Sequence, residues 1–217
     1  IPNHLYCYFQ GNKDYDSPAG SNGIFHNNTL VVGCKTTVIP TGTRAIGKGA
    51  FLGCAGLGEM IVLGTVTTID DDAFKDCTGL TRVEIPASMY SVGASFAGCT
   101  SLATMVCRTK DVLSVTDKTF EGAKSRFIVF VDQKNYNNYL AHDVWSHMTI
   151  VGYIPGDANG DQAVNVADVM EDVNAAMNTR TTTIDTNGAD VNGDNLIDDT
   201  DTEAIVALLK TAEYPAV

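Results

Sequence analysis

The sequence predicts an α+β chain in two parts. A short β-solenoid is expected over residues 24–150, closed at its N-terminal end by residues 1–23, and a small all-α module over residues 154–217. Three observations carry this reading. A Phe-x-x-Cys-x-x-Leu motif recurs at steps of 23 and 22 residues; two twelve-residue acidic runs of one pattern lie 33 residues apart near the C-terminus; and the charge is uneven. Residues 156–217 hold 13 acidic and 2 basic side chains, net −11, against 13 and 12 in residues 1–155, net −1.

The first part begins irregularly. Residues 1–23, with Tyr6, Cys7, Tyr8 and Phe9, are expected to form a strand or hairpin, and Leu30 to Cys34 with Val38-Ile39-Pro40 a first, imperfect turn. Regular turns follow. Phe51-Leu-Gly-Cys54-x-x-Leu57 recurs as Phe74-Lys-Asp-Cys77-x-x-Leu80 and as Phe96-Ala-Gly-Cys99-x-x-Leu102. Aliphatic anchors stand ahead of each, at Ile46, Ile69 and Val92, and Val115 keeps the 23-residue spacing ahead of Phe120. Each Leu opens a Leu-x-x-apolar-x-apolar strand: Met60 and Val62, Val83 and Ile85, Met105 and Cys107. A period in the low twenties with this pattern is that of a leucine-rich solenoid, whose turns bury their inward side chains only against one another. The outward positions are then Glu59 and Ile61, Arg82 and Glu84, Thr104 and Val106. Of these, Glu59, Arg82, Glu84 and Thr104 are the candidate partner-binding residues. The Phe-x-x-Cys-x-x-Leu form is similar to the BspA-type leucine-rich repeats of bacterial surface proteins. That resemblance implies recognition outside the cell.

The last turn loses its cysteine at Ala123 and ends in a strand, Phe127 to Val131; Tyr136, Tyr139 and Trp145 supply aromatic surface to cover it. Cysteines at equivalent inward positions form a ladder. Strands about 4.8 Å apart hold their side chains parallel, whereas a disulfide needs Cβ atoms nearer about 3.8 Å. Reduced thiols are therefore expected at Cys54, Cys77, Cys99 and Cys107. A Cys7–Cys34 bridge stays open.

The acidic runs come next. Asp157-x-Asn159-Gly160-Asp161-x-x-x-Asn165-x-x-Asp168 is followed by Asp190-x-Asn192-Gly193-Asp194-x-x-x-Asp198-x-x-Asp201. Side-chain oxygens fall at loop positions 1, 3, 5, 9 and 12, a backbone carbonyl at position 7 (Ala163, Leu196) and an apolar residue at position 8 (Val164, Ile197). This is the spacing of an EF-hand calcium loop. Calcium takes six or more oxygens at about 2.3–2.6 Å, and the same carboxylates gathered without a cation repel one another. Two Ca²⁺ sites are expected. After the first loop, Val169, Met170, Val173, Ala176 and Met177 share a helical stripe; after the second, Ala204, Ile205, Leu208 and Leu209 do. Pro155-Gly156 and Thr186-Asn187-Gly188 are expected to break the chain ahead of each loop, leaving no entering helix.

Two such halves resemble a type I dockerin, a calcium-folded pair of F-hands that attaches secreted proteins to cohesin domains. The resemblance implies partner contacts at loop positions 10 and 11. These are Val166-Ala167 in one half and Asp199-Thr200 in the other, an apolar pair against a polar one. At position 6, where the family carries Gly, stand Gln162 and Asn195. A left-handed backbone costs Gln roughly 1–2 kcal/mol, so the first loop is expected to be the weaker site.

A net charge of −12 argues against nucleic acid. No apolar run approaches the ~20 residues of a membrane span. The chain begins at Ile1 without a leader, so the expectation is a processed protein, secreted or held on a bacterial cell surface. His142 and His147 are five apart rather than in H-E-x-x-H, and no G-x-S-x-G elbow or phosphate loop is present. Asp70-Asp71-Asp72 reads as a solvated turn. The expected function is non-catalytic. The solenoid would bind a host surface protein or a polysaccharide, while the acidic module tethers it to a cohesin. Two alternatives remain: a purely structural calcium-stabilised tail, or an accessory part of a secreted polysaccharide-degrading system.

Overall fold

A computed structural model describes residues 18–62, 64–123, 126–177, 184–194 and 196–211. Cys7 and most of the expected N-terminal cap lie outside the described residues, as does Asn195. The chain is α+β and divides into two compact units: Ile1–Val129 with Asn137–Ile150, and Phe130–Tyr136 with Val151–Val217.

The first unit opens with a hairpin, β1 (Ile24–His26) and β2 (Thr29–Val32), paired antiparallel. Asn27 and Asn28 turn it with φ of 46° and 62°, the backbone that a two-residue hairpin of matching twist demands. From there each turn of chain contributes one short strand to each of two sheets. β3 (Ala45–Ile46), β5 (Thr68–Ile69) and β7 (Ser91–Val92) pair in parallel beside β2, so Ile46, Ile69 and Val92 stand in register. β4 (Glu59–Ile61), β6 (Arg82–Ile85) and β8 (Thr104–Cys107) pair in parallel in the other sheet, aligning Met60, Val83 and Met105. That sheet has the order β10-β9-β8-β6-β4, with β9 at Ile128–Asp132 and β10 at Thr149–Tyr153. The 23-residue anchors are thus partners across a strand pair.

An aromatic column joins successive turns. Phe51, Phe74, Phe96 and Phe120 stack at centroid distances of 5.0, 5.3 and 6.0 Å, with ring planes within 14° of parallel. The residue immediately before each turn's cysteine position sets it up: Gly53, Asp76, Gly98 and Gly122, the last ahead of Ala123, all take a left-handed φ of 57–73°. A Cβ on Gly98 would meet Asp76 Oδ1 at 2.2 Å, so this turn admits little else. The cysteine that follows donates its thiol upstream. Cys77 Sγ donates to the Phe51 carbonyl at 3.0 Å, and Cys99 Sγ to that of Phe74 at 3.1 Å. Burial pushes the Cys77 thiol up to about 12, Cys99 to about 11 and Cys107 to about 12. All three, with Cys34 and Cys54, are free thiols.

Beyond Phe120 the column ends in crossed rings. Phe127 and Trp145 lie 5.1 and 5.4 Å from it at 63° and 59°, and Tyr139 sits 5.4 Å from Trp145. Trp145 Nε1 donates to the Leu113 carbonyl at 2.8 Å, and the Leu113 amide donates to the Tyr139 hydroxyl at 3.0 Å. Tyr139 lies in α1 (Tyr136–Leu140). Buried polar ends of these large rings are therefore matched.

The exposed side of β6 differs from expectation. Glu84 is 1 % exposed and Val106, its register partner, is fully buried. Arg82 Nη2 donates to Glu84 Oε2 at 2.9 Å and Arg108 Nε reaches Oε1, so two guanidinium groups close over the carboxylate. Glu84 is an ion-pair centre rather than an open contact residue. Glu59 remains exposed, and Arg82 and Thr104 are half-buried.

In the second unit, Ala158, Val164, Ile184, Ala189 and Ile205 form the core, with Ile154, Val169, Val191, Ile197 and Leu209 packed around it. Its helices are α2 (Val166–Ala176), α3 (Thr186–Ala189) and α4 (Asp199–Thr211). α3 is a correction. The segment expected only to break the chain forms one helical turn ahead of the second loop, because Asp185 caps it by accepting from the Asn187 amide at 3.0 Å. The Gly there is required by packing: a Cβ on Gly188 would sit 2.2 Å from the Asp157 carbonyl oxygen.

Candidate metal centres

Both acidic runs fold into the same loop. In the first, Asp157 Oδ1 accepts from the Gly160 and Asp161 amides at 2.8 and 3.0 Å, and Oδ2 from the Gln162 amide at 2.8 Å. In the second, Asp190 Oδ1 accepts from the Gly193 and Asp194 amides at 2.8 and 3.1 Å. Asn159 and Asn192 each accept from the amide two residues on, that of Asp161 or Asp194, at 2.8 Å. Asp161 and Asp194 repeat this with Ala163 and Leu196, at 2.9 and 2.8 Å. Short side chains that bond locally to the backbone turn the chain tightly, and Gly160 and Gly193 supply the left-handed step at φ 75° and 78°.

The last position closes the ring. Asp168 Oδ1 and Oδ2 accept from the amides of Asn159 and Asn165, at 3.2 and 2.7 Å. Asp201 accepts likewise from Asn192 at 3.1 Å and Asp198 at 3.2 Å. Asn165 also caps α2 through the Ala167 amide at 2.8 Å, so loop and helix share one residue. Asp168 and Asp201 are fully buried, Asp157 and Asp190 4 % exposed.

Burial pushes the carboxyls of Asp157 and Asp168 above the ordinary range, and the Asp168 charge adds to the shift at Asp157. Gathering them is unfavourable without a cation. Asp190, Asp194 and Asp201 each bring one carboxylate oxygen within 4.8 Å of the others, the one such trio among the described residues. An oxygen-only donor set of this kind fits a hard divalent cation. Asn165 and Asp198, ninth in each loop, are half-buried, as is Ala163, while Leu196 is exposed. Gln162 takes φ 73°, the left-handed geometry that its position requires.

Asp172 is a residue that the pattern missed. It is fully buried on α2, accepts from the Thr202 hydroxyl of α4 through Oδ2, and leaves Oδ1 without a partner. Burial, then the nearby Asp201, pushes its carboxyl up to about 6. It lies one helical turn beyond Asp168, and that spacing is the signal that could have found it. The expected stripe is rotated accordingly. Because Asp168 must face its loop, α2 turns Met170 and Met177 outward, at 56 % and 66 % exposure. Val166 joins them at 69 %, while Val169 packs inward. Ala167, Asp199 and Thr200 are exposed as well.

Residues 22–142 match the family model described as BspA type Leucine rich repeat region, in six copies. The chain belongs to this family. Residues 155–210 match the Dockerin type I domain. No curated protein and no solved structure matches the chain. The BspA type repeats account for the paired strands and the phenylalanine column, and the dockerin match covers both acidic loops. Neither family is catalytic, and type I dockerins bind calcium and cohesin proteins. No described helix is long and apolar enough to cross a membrane.

Proposed function

We propose that the chain is a secreted or surface-held recognition protein whose acidic module is a calcium-folded docking tail. The BspA type repeats are read as a short solenoid presenting Glu59, Arg82 and Thr104 to an extracellular partner, a protein or a polysaccharide. The dockerin module is read as an F-hand pair with two Ca²⁺ sites. One is held by Asp157, Asn159, Asp161, Asn165 and Asp168 with the Ala163 carbonyl. The other is held by Asp190, Asn192, Asp194, Asp198 and Asp201 with that of Leu196. Calcium supplies charge neutralisation and cross-linking within each loop. The second loop has one more carboxylate and no Gln at its turn, so it is the tighter site.

One observation carries the reading: four carboxylates, at positions 1 and 12 of both loops, are buried in a module of net charge −11. A cation offsets that repulsion. Free calcium at a hundred times its dissociation constant stabilises by about 2.7 kcal/mol per site, comparable to the whole stability of a ~60-residue module. Chelation is therefore expected to unfold residues 156–217 while the repeats stay folded. A thermal melt with a single transition, unmoved by EGTA, would falsify this.

The structural-tail reading differs at the surface. Val166, Met170 and Met177 leave an apolar strip on α2, whereas Asp199 and Thr200 head α4 with polar groups. An exposed apolar strip favours docking. A cohesin pull-down in calcium separates the two readings, since a purely structural tail retains no cohesin.

A further inference from the structure

We propose that Asn159–Gly160 and Asn192–Gly193 are calcium-gated deamidation sites, which makes the acidic module an irreversible timer of its own metal-free periods. The inference rests on the calcium reading above. An Asn–Gly bond is the peptide most prone to self-attack, because glycine leaves its amide nitrogen unshielded. That nitrogen bonds to the side-chain carbonyl carbon of the Asn and ammonia departs. Water then opens the resulting five-membered imide at either carbonyl, giving Asp or isoaspartate. No other reagent is needed.

Both loops hold the reacting groups apart. The nucleophilic amides are tied up, Gly160 N–H donating to Asp157 Oδ1 and Gly193 N–H to Asp190 Oδ1, each at 2.8 Å. The electrophilic amides are tied up too. Asn159 Oδ1 accepts from the Asp161 amide at 2.8 Å and its Nδ2 donates to Asp161 Oδ2 at 3.1 Å. Asn192 Oδ1 accepts from the Asp194 amide and its Nδ2 donates to Thr200 Oγ1, both at 2.8 Å. Attack requires these bonds to break together, which is loop opening. Since the carboxylates that hold the glycine amides are the buried, mutually repelling ones, calcium suppresses opening by a factor that rises with the ratio of free calcium to its dissociation constant.

The isoaspartate product does not re-form the site. Isoaspartate lengthens the backbone by one methylene between positions 3 and 4, displacing Gly160 and Asp161, or Gly193 and Asp194, from the Asp157 or Asp190 carboxylate.

The chain carries its own control. Asn22–Gly23 belongs to the repeat unit and to neither loop, and its deamidation is expected to proceed independently of calcium. The full chain is aged in mildly alkaline buffer with excess calcium or with EGTA, then digested and mapped by mass spectrometry. Residues 159 and 192 are expected to convert about a hundredfold more slowly at free calcium a hundred times its dissociation constant, with residue 22 equal in both arms. EGTA-aged protein, returned to calcium, is expected to have lost calcium binding by titration calorimetry in proportion to its isoaspartate content. Calcium-stabilised melting with equal rates in both arms overturns the gating alone. Equal rates with melting unmoved by calcium overturn the calcium reading as well. Faster conversion in calcium overturns the gating, showing that polarisation of the Asn carbonyl outweighs restraint of the amide.

Discussion

Gln162 occupies a left-handed backbone that glycine would adopt without strain. Replacing it relieves that conformation at the cost of a freer unfolded chain. Gln162→Gly is expected to stabilise the first loop by about 1 kcal/mol, read as a tighter calcium isotherm for one of the two proposed sites. Asp172 allows a prediction with a definite sign. Its folded pKa of about 6 lies above the ordinary 3.8, so its contribution to stability is fully present below about 4 and is lost as pH rises through 6. Asp172→Asn removes that loss. The free calcium needed at the folding midpoint is expected to be lower for the variant at pH 7, and the gap to narrow on acidification from 6 towards 4. An unchanged midpoint across that range would count against burial as the cause. The oxygen-bearing loop positions were legible one by one, because such residues at fixed intervals have few other uses. Glu84 and Asp172 were not. Alternation gives the side of a strand, not which arginine will fold over it, and an acidic residue on a helix reads as solvent-facing until the buried loop above it is seen.

At the scale of elements, the repeat converts a chemical motif into a stack. Phe74 stacks on Phe51 on one side and on Phe96 on the other, so removing its ring strips both contacts. Phe74→Ala is expected to cost the repeat unit about 3–5 kcal/mol, seen as a lowered melt of that unit with the calcium-dependent transition in place. Equal lowering of both transitions would argue that the units fold together. The period was readable because register repeats: Ile46, Ile69 and Val92 are strand partners as well as sequence equivalents. The helical turn α3 was not, since its start is set by Asp185 and its Gly by a carbonyl oxygen from a distant loop. The stripe on α2 was read at the right period and the wrong phase, because the phase is fixed by Asp168 and not by apolar content.

For the molecule as a whole, the two units draw stability from different sources. The repeats bury apolar side chains in register; the acidic unit gathers charges that a cation must offset. Acid should therefore act on them unequally. Protons compete for Asp157 and Asp168, whose carboxyls already sit above the ordinary range, so calcium release is expected to begin at a pH higher than free aspartate would set. A calcium titration repeated at falling pH tests this, and affinity flat down to the free-aspartate range would oppose it.

The placement of the rings also divides the molecule optically. Trp145, the sole tryptophan of the sequence, and the four stacked phenylalanines belong to the first unit, whereas the aromatic residues of the second are Phe130, Tyr136, Tyr153 and Tyr214. Indole emission therefore follows the repeats, while most helical far-ultraviolet signal comes from α2 and α4. Each half can thus be watched at its own wavelength in one unlabelled sample.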